Sequence, residues 1–92
     1  MKMQAYSDVW DALSDTPEEA EKMKIRSNLM MAISNHLEKF DGTQTAKAKK
    51  LGITQPRLND LLKGRISKFS LDALVTIAVH AGLKVSVHAK AA

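Results

Sequence analysis

Between Leu51 and Gly64 the chain reads LGITQPRLNDLLKG, and the Gln-Pro pair inside it fixes where a helix must begin. Proline is tolerated only in the first turn of a helix, where its missing N–H has no intrahelical partner to lose. Thr54 is therefore the cap, Gln55 and Pro56 fill the first turn, and Gly64 closes the helix after Leu58, Leu61 and Leu62. A second short helix precedes it. Phe40-Asp41-Gly42 breaks the pattern with a turn signal, Thr43 caps Gln44–Leu51, and Gly52 stops it. Only Gly52-Ile53-Thr54 separates the two helices.

The same punctuation organises the rest of the chain. Thr16, Pro17 and Glu19 form a helix start with acid at the positive helix end, and a long helix is expected over roughly residues 17–39. Its apolar positions Met23, Met30, Ile33 and Leu37, with Ile25, Leu29 and Ala32, recur at spacings of three, four and seven and predict a broad buried stripe. Ser70 caps a fourth helix over Leu71–Ala81, with Leu71, Leu74, Val75, Ile77 and Ala78 inward and Gly82 following. The tail alternates Leu83, Val85, Val87 and Ala89 with Lys84, Ser86 and His88, a strand pattern. At the other end, Ser7–Leu13 reads as a short helical turn whose Val9, Trp10 and Leu13 dock on the body. The expected fold is all-α: a small helical bundle plus a short C-terminal strand. It divides into an acidic segment (1–15), a helical domain (16–83, motif 43–64) and a strand with tail (84–92).

Ninety-two residues, 45% of them apolar, suit one domain with a modest core. The absence of cysteine excludes disulfides, thiolate metal sites and thiol chemistry. No apolar run approaches the roughly 20 residues of a membrane span, and the start has no signal-peptide character, so no membrane partner and a cytoplasmic location are expected. His36, His80 and His88 share no ligand or catalytic spacing, and the glycines are scattered turn residues. No catalytic residue, metal or cofactor is expected, and the chain does not read as an enzyme.

Charge supplies the functional signal. The net charge is only +4, but it is divided: residues 1–22 carry six carboxylates against two lysines, whereas residues 39–68 carry eight cations against Asp41 and Asp60. A positive block gathered around one motif suits a phosphate-facing surface.

Two short helices joined by a three-residue turn have the proportions of a helix-turn-helix, whose second helix lies in the major groove of DNA. Ala48, Leu51, Ile53, Leu58, Leu61 and Leu62 would hold the helices at a fixed angle, and glycine at position 52 permits positive φ. Gln55, Arg57, Asn59 and Asp60 are left at the exposed start of the second helix as candidate base-reading groups. Glutamine can pair with adenine N6/N7 and arginine with guanine O6/N7. Lys63, Arg65 and Lys68 follow as candidate phosphate contacts.

The stretch TQTAKAKKLGITQPRLNDLLKG resembles the Xre-type, lambda-repressor-like helix-turn-helix family, through Thr43, Gln44, Ala48, Leu51, Gly52, Ile53, Thr54, Gln55, Leu58, Asn59 and Gly64. PEEAEKMKIRSNLM and the closing AGLKVSV are similar to its HigA-like antitoxin branch, so the resemblance covers about residues 8–88. It implies a lambda-repressor-like bundle, with Gln44 on a phosphate, Gln55 on a base, and Arg57 and Asn59 flanking; Thr54 and Lys47 join the phosphate set. Lys47 departs from the family, which is usually apolar there, and either loosens the packing or turns towards phosphate. Asp60 either accepts from a cytosine amine or orients Arg57. The resemblance further implies a RelE/HigB-like ribonuclease toxin as partner, which the acidic N-terminal third suits; a free-standing repressor or phage regulator is the alternative.

The tail strand has an apolar face and needs a partner. MQAYS near the N-terminus is one candidate; the better patterned one is the same strand of a second copy, giving a homodimer held through Val85 and Val87. A two-fold pair of reading helices implies a palindromic double-stranded operator with half-sites about 10 base pairs apart.

Overall fold

The computed structural model describes residues 16–91. The expectations for Ser7–Leu13 and for MQAYS fall outside that range. Among the described residues four α-helices follow in order: α1 (Pro17–Leu37), α2 (Gln44–Leu51), α3 (Gln55–Leu62) and α4 (Leu71–His80), with a 3₁₀ turn, Ile66–Lys68, between the last two.

Each α-helix begins on the hydroxyl that the sequence places there. Thr16, Thr43, Thr54 and Ser70 all have extended backbone and accept from the N–H three residues on, at 3.1, 3.1, 3.3 and 3.1 Å. Such a bond satisfies one of the amides that a helix start leaves orphaned, and each is worth about 1 kcal/mol. The stops are equally local. In α2, Ile53 N–H donates to Ala48 C=O and Gly52 N–H to Lys49 C=O, the paired closure of a Schellman motif. Arg65 with Gly64 ends α3 in the same way, and Leu83 with Gly82 ends α4.

The core joins Met30, Ile33 and Leu37 of α1 to Ala48 and Leu51 of α2, Leu58 and Leu61 of α3, and Leu74, Ile77 and Ala78 of α4; Phe69 and Ala81 complete it. α1 lies mainly along α4 and touches α3 and the 3₁₀ turn. Two expectations about this core are corrected. Of the long helix only the row Met30, Ile33 and Leu37 enters the shared core, with Leu29 half-covered and Ala20 buried apart from it; Ile25 is 40% exposed and Ala32 lies in solvent, because the short partner helices cover a narrower stripe than the apolar spacing allowed. Leu62 is likewise 40% exposed, on the rim where α3 leaves the core.

Phe69 is 2% exposed and went unread in the sequence. It stands directly before the Ser70 cap, with Leu74 at the fourth helical position, the arrangement of a hydrophobic staple. Ile53 and Leu58 occupy the same positions around Thr54.

Among the described residues there is no strand. Leu83 and Val85 instead pack partly against the chain's own core, while Val87 is 83% exposed. A lone extended segment has no ladder to join, so whether the expected strand forms depends on a partner outside this chain's described residues.

Candidate nucleic-acid interface

The turn between α2 and α3 is held at a fixed angle by more than the small leucine core. Gly52 has φ 74°, a left-handed conformation that a side chain adopts only with strain. A side chain there would also crowd α4, since a Cβ would stand 3.2 Å from Nδ1 of His80 and push the imidazole aside by a few tenths of an ångström. That imidazole reaches across from the end of α4 and lies 2.9 Å from the carbonyl oxygen of Leu51. Nδ1 carries the proton in this contact, because a carbonyl only accepts, and one of the last carbonyls of α2 is thereby satisfied. His80 is thus a structural tie between α4 and the motif.

At the start of α3, Gln55 and Pro56 are exposed, as is Asn59 one turn later. Thr45, in the first turn of α2, donates its hydroxyl to Oε1 of Gln55 at 3.1 Å. The amide is therefore oriented by the neighbouring helix and is not a loose surface group. Thr43 and Thr54 spend their oxygens on helix caps, leaving Thr54 at the exposed rim beside Gln55.

Arg57 takes a different course. Its guanidinium lies 4.4 Å from the centroid of the Phe69 ring, and Nη1 donates to the carbonyl of Lys68 at 3.2 Å. The side chain is half-buried and ties α3 to the 3₁₀ turn. Asp60 does not orient it: the Asp60 carboxylate is 2.8 Å from Nη1 of Arg65. That pair draws Arg65 back along α3, whereas Lys63 and Lys68 are exposed.

Gln44 is exposed at the first position of α2, and Lys47 is half-buried on its next turn. Both line an open hollow of 290 Å³ with Ser34, Leu37, Glu38 and Leu62, which places Lys47 between α1 and the motif. Lys50, which belonged to the positive block, sits with Nζ 5.0 Å from the Phe40 ring centroid. Val85 and Val87, the expected dimer contacts, lie at the far end of the chain, beyond α4.

The structure thus sets Thr54 and Gln55 at the start of α3, Gln44 at the start of α2 beside Leu62, and Lys63 beyond the end of α3. It adds Thr45, which sequence reading passed over. Its only sequence signal was a second hydroxyl residue next to the Thr43-Gln44 start of α2.

A family model described as a helix-turn-helix domain matches residues 12–90, nearly the whole chain. The chain belongs to the helix-turn-helix domain family. A search of curated proteins found no match. Membership agrees with the geometry: α2, the Gly52 turn and α3 are the motif, α1 and α4 its support, and the domain is a DNA-binding one. No helix among the described residues is long and apolar enough to cross a membrane.

Proposed function

We propose that this helix-turn-helix domain is a sequence-specific transcriptional repressor of the Xre type, and the antitoxin of a type II toxin-antitoxin pair. It binds a palindromic operator as a homodimer, represses its own operon, and masks a RelE/HigB-like ribonuclease toxin. The observation that carries the DNA-reading part is the exposed, oriented amide of Gln55 at the start of α3, with Gln44 on the adjoining helix start and Lys63 beyond its end. In this reading Gln55 and Asn59 meet base edges while Gln44, Thr54, Lys47, Lys63 and Lys68 meet phosphate. Arg57 and Asp60 contribute to base contact only if they leave Phe69 and Arg65, their partners in the chain alone. Dimer formation is supported by the 83% exposure of Val87 on a segment without a strand partner among the described residues.

The antitoxin assignment is supported by the sequence likeness and by the division of charge, since an acidic N-terminal third suits a basic ribonuclease surface better than DNA. Selection of bound fragments from a random duplex pool tests the DNA reading: one enriched palindrome is expected, and the absence of any enriched sequence overturns it. Coexpression with a small basic reading frame beside this gene tests the toxin partner. Copurification is expected; an operator without such a frame leaves a free-standing repressor or phage regulator.

A further inference from the structure

The hydrogen bond between Thr45 and Gln55 joins two residues from different helices, both exposed and both at the surface where α3 begins. A bond between exposed side chains adds little stability, so its consequence lies in what it does to the Gln55 amide. A primary amide presents two unlike ends, an acceptor oxygen and a donor nitrogen, and in isolation it can turn either towards a base. Thr45 removes that symmetry. Its hydroxyl proton occupies one lone pair of Oε1, leaving a second lone pair and both Nε2 donors for a base.

We infer that Thr45 is a positioning residue that fixes the donor-acceptor order Gln55 shows to the major groove, and so selects adenine over guanine at one base pair. This rests on the reading of α3 as the helix that meets base edges. The chemistry follows from the groove pattern. Adenine offers N7 as acceptor and N6–H as donor, which match Nε2–H and the remaining Oε1 lone pair side by side; guanine sets its O6 acceptor where the amide oxygen stands. An unheld amide can turn to offer Nε2 alone to N7 and O6 of guanine. Loss of the hydroxyl therefore relaxes the choice between the purines and leaves phosphate contacts alone.

The experiment uses the full chain and the operator enriched from a random pool. Gln55→Ala first marks the base pair whose discrimination depends on that side chain. Affinities for the adenine and guanine versions of that pair are then measured by fluorescence anisotropy for wild type, Thr45→Val and Thr45→Ser. Wild type should favour adenine roughly tenfold or more, the scale of one bidentate contact. Thr45→Val should shrink the ratio to within about threefold at that pair only, Thr45→Ser should retain it, and affinity for random duplex should be unchanged in both. An unchanged ratio in Thr45→Val overturns the inference, as does an equal loss at every position, which would mark a general disturbance of α2. If the pool yields an operator but Gln55→Ala alters no position, the inference fails while DNA binding stands; if no operator emerges, both fail.

Discussion

The guanidinium carbon of Arg57 stands 4.4 Å from the centroid of the Phe69 ring, and Nη1 donates to Lys68 C=O from there. An arginine of α3 thus serves as a clasp on the turn that follows it. Arg57→Ala should lower stability by about 0.5–1 kcal/mol, the range of a partly exposed cation–π contact, in urea denaturation. Its effect on DNA should be similar on operator and random duplex. A loss confined to the operator would show that the arginine leaves Phe69 to read a base.

Gln55→Ala should behave in the opposite way, costing about 1–3 kcal/mol on the operator and little on random DNA. Lys63→Ala should weaken both and reduce the salt slope of binding by roughly one unit, since one phosphate neutralisation is lost. Titrations at several salt concentrations separate the two. Equal losses on both DNAs for Gln55→Ala would count against base reading.

Gly52 and Gly64 both have positive φ, 74° and 70°, yet their surroundings differ. A Cβ at Gly64 meets nothing within 4 Å, whereas one at Gly52 meets His80. Gly64→Ala should cost about 1–2 kcal/mol from backbone strain alone. Gly52→Ala should cost more, because the imidazole that holds Leu51 C=O must also move. Chemical denaturation of the two variants in parallel checks the order.

Phe69→Ala should destabilise by about 3–5 kcal/mol, the usual loss for a buried aromatic, and should reduce affinity for any DNA sequence through disorder at the end of α3. Phe69→Leu keeps most of the packing and removes only the ring beneath Arg57. It should therefore resemble Arg57→Ala in urea denaturation.

Val85 and Val87 call for separate substitutions. Val85 packs on the core, so Val85→Asp should lower stability whatever the oligomeric state. Val87 is open, and Val87→Asp should leave the fold within about 0.5 kcal/mol while shifting the protein to monomer and weakening operator binding. Light scattering at tens of micromolar reads the mass directly. A monomeric wild type at that concentration would remove the dimer from the proposal.

What the chain determined by itself is what interactions within a few residues decide. The Thr43, Thr54 and Ser70 caps each bond three positions ahead, and the Gly52, Gly64 and Gly82 stops bond three to five positions back, so helix starts and ends could be read from spacing. The buried row Met30, Ile33 and Leu37 was visible for the same reason, as a helix repeats every 3.6 residues. Tertiary structure decided the matters that need a second element at a definite distance. It exposed Ile25, Ala32 and Leu62 because the neighbouring helices are too short to cover them, and buried Phe69 beneath Arg57. It also brought His80 to Leu51 across 29 residues and Thr45 to Gln55 across ten. A side chain's own sequence neighbourhood carries the propensity to form a helix, but not the position of the group it will meet on another one, which for Gln55 is the hydroxyl of Thr45.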